Sequence, residues 1–253
     1  MLLSGKVIFL SGGSTGIGLE CAKAYASEGA AIVLCARDEA AAQKAAAKVS
    51  GEHYGIRCDV ASGTEVEAAI AFTIAKFGRL DAIHNNAGIA TPSKPLHETT
   101  EEEWDALLSI NLKSVYWTTR YGYQHLKATK GCILNTSSMV GVMGQASHAA
   151  YTGTKGAMNT LTKSMALDYA SDGVRVNAVC PAGTWTPMLR KWAAEQVDPS
   201  GIEKYLDEIH PLGYCPEGDV IADACVFLLS DKSRFITGHI MHVSGGAEIG
   251  YRR

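Results

Sequence analysis

Val7-Ile8-Phe9-Leu10-Ser11-Gly12-Gly13-Ser14-Thr15-Gly16-Ile17-Gly18 joins an apolar run of strand length to a glycine-rich turn, and the turn opens a segment with helical periodicity. Val7 to Leu10 reads as a buried strand and Ile17 to Ser27 as the helix behind it. Glycines at such a junction let the backbone turn tightly and approach a pyrophosphate, whose charge meets free N–H groups at the helix N-terminus. The spacing is G-x-x-x-G-x-G, not G-x-G-x-x-G, and a turn of this kind can also be purely structural. Its place after the first strand of a βαβ unit favours a dinucleotide, held by Gly12, Ser14, Thr15, Gly16, Ile17 and Gly18.

Outward from this turn, strand-length apolar runs keep alternating with helical stretches. Ala31 to Ala36 reads as a strand, followed by an Ala-rich helix from Asp38 to Val49 with Asp38 as N-cap. A strand at Tyr54 to Cys58, a helix at Thr64 to Phe77 and a strand at Leu80 to His84 come next. One long helix is expected over Glu102 to Leu126, introduced by Thr99, Thr100 and three glutamates that suit a helix N-terminus. Strands at Cys132 to Thr136, Val174 to Val179 and Ile240 to Val243 alternate with helices at Tyr151 to Tyr169 and Glu217 to Leu229. Irregular helical sequence lies between, at Met188 to Ile209. The fold expected is α/β: a doubly wound, parallel, seven-stranded sheet of the Rossmann type. One domain spans 1–253, with a pocket insertion at about 182–213 as a wall or lid.

Composition bounds the function classes. The 253 residues carry 23 basic and 26 acidic side chains, a formal charge of −3. Bulk electrostatics therefore gives no reason to expect nucleic acid or an anionic membrane as partner; a small molecule is expected. Apolar residues make up 47% and charged residues 19%, which excludes a disordered polyampholyte. Seven scattered cysteines without a C-x-x-C pair argue against a disulfide framework or zinc site and for a reducing compartment, with cytoplasm as the default. His239 and His242 sit three apart on a predicted strand and so on opposite faces; no metal site is expected.

Later strand ends carry the candidate chemistry. Leu34-Cys35-Ala36-Arg37-Asp38 ends the second strand, where an acid would accept from a ribose 2′-OH and a base would accommodate a 2′-phosphate. Arg37 favours NADP; a shift of one or two residues would turn Asp38 toward the ribose and favour NAD. Asp59-Val60 could hold the adenine edge, or Asp59 could simply form a turn. Tyr151 and Lys155, four apart, share a helical face. An ammonium there favours phenolate, and bringing a tyrosine from about 10 toward 7 needs roughly 4 kcal/mol. Tyr151 would then act as general acid/base on an alcohol or carbonyl.

Together these residues resemble the short-chain dehydrogenases/reductases over essentially the whole chain. Ser11 to Gly18 corresponds to the family's glycine motif, with serine for the usual threonine, and Asn85-Asn86-Ala87-Gly88 to its adenine-side motif. The resemblance implies a catalytic tetrad of Asn111, Ser138, Tyr151 and Lys155, with Ser138 thirteen residues before the tyrosine. By that resemblance Ser138 polarises the substrate oxygen and Tyr151 transfers the proton. Lys155 holds the nicotinamide ribose and lowers the tyrosine pKa, and Asn111 positions a relay water. Pro181, Gly183, Thr184 and Thr186 look like the carboxamide-binding segment, with alanine for the usual glycine at 182. A homotetramer is implied, formed through the long helices and last strand.

Substrate contacts are expected from Gln145, His148, Trp185, Met188 and Trp192 beside Ser138 and Tyr151. Trp185-Thr186-Pro187 and Ser244 to Tyr251 resemble a branch holding 17β-hydroxysteroid and L-fucose dehydrogenases; in it Glu248 and Tyr251 would close a pocket. A secondary alcohol or ketone of sugar or polyol type is expected. A steroid, or a non-catalytic dinucleotide sensor, are the alternatives. About 250 residues leave no room for the separate substrate domain of an epimerase or dehydratase.

Overall fold

The computed structural model describes residues 1–196 and 198–250. Strands β1 (Val7–Ser11), β2 (Ala31–Ala36), β3 (His53–Arg57), β4 (Ala82–Asn85), β5 (Cys132–Thr136), β6 (Arg175–Pro181) and β7 (Ile240–Val243) form one sheet in the order β3-β2-β1-β4-β5-β6-β7. Every pairing is parallel. The apolar runs are continuous because both faces are covered. Phe9 lies level with Val33 and Ile83, and these side chains pack under α3 (Gly63–Phe77), α5 (Ser114–Thr129) and α6 (Ala149–Tyr169). Leu10 and Leu34, one residue along, face the opposite layer of α1 (Gly16–Ser27) and α9 (Gly218–Leu229). The expected doubly wound sheet is thus observed. Its direction of winding reverses between β1 and β4, leaving a crevice at the carboxyl ends of those strands.

Local signals account for most helix ends. Asp38 caps α2 (Glu39–Ala46), accepting from Ala41 N at 3.2 Å. Thr100 and Glu103 form a reciprocal capping box on α4 (Glu101–Leu108). The expected single helix from Glu102 to Leu126 is a correction: α4 passes through a π-helical turn, Ser109–Lys113, before α5 begins. The extra residue in that turn re-aims Asn111, which is fully buried. The irregular stretch resolves into α7 (Pro187–Ala194) and α8 (Pro199–Glu208), capped by Thr186 and Asp198 with proline at the first helical position. Among the described residues no helix is long and apolar enough to cross a membrane.

Candidate active site

At the switch point a cleft of about 920 Å³ opens along the carboxyl ends of the strands. Its floor is the glycine turn, and the glycines there are required by space. A Cβ on Gly18 would lie 2.1 Å from the Gly12 carbonyl oxygen, and one on Gly12, itself at φ +66°, 2.8 Å from Ala87 Cα. Gly12 N and Gly13 N donate to Cys35 O at 2.9 and 3.2 Å, tying the turn to the end of β2. Ser11 explains its own hydroxyl: Oγ accepts from Asn86 N at 3.0 Å and Ala87 N at 3.1 Å. Asn86 Nδ2 in turn donates to Ser11 O and Gly12 O. The N-terminus of α1 has no side-chain cap and no acid in its first turn. Its free N–H groups, beside backbone held open by glycine, fit a pyrophosphate.

Arg37, Asp38, Asp59 and Val60 line the same cleft. The Asp38 carboxylate accepts from its own helix, and Asp59 Oδ1 accepts from Ala61 N at 3.0 Å, so both carry a local structural bond. Arg37 forms no ion pair with any described residue. Pro181, Gly183, Thr184 and Thr186 form the opposite wall, and a Cβ on Gly16 would meet Thr186 Cγ2 at 3.3 Å.

The catalytic candidates come from three elements. Ser138 follows β5, and Tyr151 and Lys155 sit in the first turns of α6; all three line the cleft. Asn111 lies directly behind it. Its Oδ1 accepts from Ile89 N and its Nδ2 donates to Ile89 O, both at 2.8 Å, and Nδ2 also reaches Thr154 Oγ1 at 3.2 Å. Thr154 Oγ1 donates to Tyr151 O at 2.7 Å, so the π turn is bonded into the start of α6. Across the sheet, Thr118 donates to Asn85, Asn85 to Asn135 and Asn135 to Thr162, fixing β4 and β5 between α5 and α6.

Electrostatics here departs from the expected phenolate. Lys155 Nζ donates to Thr136 O at 2.8 Å and stands 5.7 Å from the centre of the Tyr151 ring. Burial pushes the Tyr151 phenol up, and the neighbouring Ser138 hydroxyl pulls it partly back. Burial also holds the Lys155 ammonium down to about 8. Burial dominates in this geometry, so the phenol is neutral near pH 7.

Of the substrate candidates, Gln145, His148, Met188 and Trp192 line the cleft. His148 bridges two loops, with Nε2 2.9 Å from Ser93 Oγ and Nδ1 2.9 Å from Ala146 O. Trp185 does not line it, which corrects the expectation. Its backbone N–H donates to Pro216 O at 2.8 Å, and the Arg190 guanidinium sits over the indole at 4.9 Å. Ala247 lines the cleft and Glu248 does not; Glu248 accepts from the Ser244 hydroxyl and faces His242 Nδ1 at 3.5 Å. Tyr251 lies outside the described residues. Not anticipated from the sequence are Ile89, Ala90, Thr91 and Ser93, which follow β4, and Tyr205 of α8; all line the cleft. For the residues after β4, their position after a strand at the switch point was the available signal.

Residues 12–248 match the family described as Enoyl-(Acyl carrier protein) reductase. The chain is 39% identical over 247 residues to L-fucose dehydrogenase of Oryctolagus cuniculus, covering 98% of this chain and 86% of that protein. Identity to meso-2,3-butanediol dehydrogenase of Serratia marcescens is 35% over 248 residues, covering 98% and 96%. Among solved structures it is similar to 3-ketoacyl-(acyl-carrier-protein) reductase from Brucella melitensis complexed with NADH, with TM-score 0.90 and 30% identity over 97% of this chain and 99% of that one. Similarity that runs unbroken from the glycine turn to the tail leaves one conclusion: the chain belongs to the short-chain dehydrogenase/reductase family, as an oxidoreductase acting on CH–OH groups.

Proposed function

We propose that this chain transfers a hydride between NADP and a secondary alcohol or ketone of sugar or polyol type. One observation carries the reading: Ser138 and Tyr151 line, with Lys155, the same cleft whose floor is the glycine cradle. A nicotinamide dinucleotide held there supplies or takes up the hydride. The side chains handle the proton and the charge. Ser138 donates a hydrogen bond to the substrate oxygen and fixes its distance from Tyr151. In ketone reduction the neutral Tyr151 phenol gives its proton to the developing alkoxide; in alcohol oxidation the phenolate takes the hydroxyl proton. The buried Lys155 ammonium stabilises that phenolate and binds ribose hydroxyls, and Asn111 holds the segment at Ile89 that borders them.

NADP is preferred because Arg37 forms no ion pair with described residues at the cleft edge, while the Asp38 carboxylate is engaged in capping α2. Gln145 and His148 supply polar contacts, Met188 and Trp192 the apolar wall, and the insertion at about 182–213 closes over them. Relatives named for L-fucose and meso-2,3-butanediol support a polyhydroxylated substrate. The seven free buried cysteines support a reducing, cytoplasmic location. A homotetramer is supported by the edge position of β7 and by Phe235, fully exposed just before it. Sugars, polyols, hydroxy acids and steroids assayed with NAD and NADP separately test the reading. The expected outcome is turnover of a polyol or sugar, with NADP ahead and the preference erased by Arg37→Ala. Equal or better turnover with NAD contradicts the cofactor assignment, and turnover of steroids alone contradicts the substrate class.

A further inference from the structure

Behind β4, on the face away from the catalytic helices, the core contains a group of polar side chains where hydrocarbon would suffice. Cys21 and Tyr25 lie one turn apart on α1, Cys225 faces them from α9, and His84 points between them from β4. All four are fully buried. The two thiol sulfurs and a ring nitrogen of His84 lie within 4.8 Å of one another. We infer that Cys21, Cys225 and His84 form a binding site for a thiophilic divalent cation, zinc in the first instance, with the Tyr25 hydroxyl at the fourth position.

The imidazole is already oriented as a ligand. Its Nε2 lies 2.8 Å from Thr136 Oγ1, and its Nδ1 faces Tyr25 Oη, also at 2.8 Å. A metal-bound histidine characteristically donates its second N–H to an oxygen, which fixes ring and tautomer; Thr136 is such an oxygen. Nδ1 is then the coordinating atom. Tetrahedral zinc, with sulfur at about 2.3 Å and nitrogen at about 2.0–2.1 Å, holds its ligand atoms roughly 3.5–3.8 Å apart. The sulfurs and the ring nitrogen, within 4.8 Å of one another, close by about 1 Å to form the shell, while Tyr25 Oη, at 2.8 Å from Nδ1, moves outward by about 0.5 Å.

Charge favours the same ligand set. Zinc displaces one proton from each thiol, two Zn–S bonds replace two S–H bonds, and two protons leave to solvent. Zn²⁺ with two thiolates and a neutral imidazole has no net charge, as a dry core demands. Because all four groups are fully buried, the ion enters during folding. The site pins together the two helices of that layer and, through Thr136, the carbonyl that holds Lys155 Nζ.

The test refolds the full chain from denaturant with excess zinc sulfate or with a chelator, then measures metal after gel filtration and the thermal midpoint. One zinc per chain is expected, with a midpoint raised by several degrees. Refolding with cobalt(II) should give thiolate-to-cobalt charge-transfer absorption. Cys21→Ala/Cys225→Ala should hold no metal. Cys35→Ala/Cys58→Ala, which removes the other neighbouring thiol pair, should still bind one. A parent chain that refolds in excess zinc and retains no metal overturns the inference. So does zinc retained by the Cys21/Cys225 variant, or cobalt bound without thiolate absorption.

Discussion

Lys155→Met should yield a protein that is more stable and inactive. Burial holds the Lys155 ammonium down to about 8 from 10.5 in an exposed lysine. At about 1.36 kcal/mol per pH unit, the charged form costs the folded state roughly 3 kcal/mol. Because the folded value lies below the unfolded one, the unfolded chain holds more protons between about pH 8 and 10.5, and stability rises with pH across that window. Below pH 8 the full cost is present. Methionine keeps the stem and removes the charge, but it strands Thr136 O, the acceptor of Nζ at 2.8 Å, which costs about 1–2 kcal/mol. A net gain of about 1–2 kcal/mol remains near pH 7, or roughly 2–8 °C in Tm for a chain of this size. Urea unfolding of parent and variant from pH 7 to about 9.5 reads this directly: the variant's advantage should shrink as the parent lysine loses its proton. A variant less stable than the parent at neutral pH, or a difference that ignores pH, would mean that the buried ammonium does not destabilise the fold.

Other perturbations act on separate parts of the site. Gly18→Ala drives a Cβ to 2.1 Å from the Gly12 carbonyl oxygen; fluorescence titration should show dinucleotide affinity falling at least about tenfold, with the tightened backbone contact as cause. Asn111→Ala removes bonds to Ile89 N, Ile89 O and Thr154 Oγ1; at about 0.5–1.5 kcal/mol each, chemical unfolding should report a loss of roughly 2–4 kcal/mol. Since the Tyr151 phenol is pushed up, alcohol oxidation should accelerate as pH rises above neutrality and ketone reduction should not, measured as kcat against pH in both directions.

How much of this was legible in the sequence depended on distance along the chain. The βα alternation, the capping residues and the Tyr151–Lys155 spacing are local, and the sheet and helix ends follow them closely. The π turn at Asn111 could not be read, because Ser109 to Ser114 keeps helical periodicity and the turn is fixed by bonds to Ile89 and Thr154 from other elements. Trp185 reads as an apolar pocket wall, yet it does not line the cleft and its indole packs under the Arg190 guanidinium, a pairing the apolar pattern does not show. Adjacency on α6 was equally visible, but the sign of the Tyr151 shift was not, since it depends on burial. Cysteine spacing argued against a metal site, whereas folding brings Cys21, His84 and Cys225 together from distant stretches.

Tyr151→Phe isolates the proton transfer, because it removes only the proton-carrying oxygen from a ring whose packing is otherwise kept. Single-turnover hydride transfer and dinucleotide binding should be measured on the same preparation. Cofactor affinity should be unchanged and the rate lower by about 10²–10⁴-fold. A variant that still transfers hydride at close to the parent rate would contradict proton transfer by Tyr151.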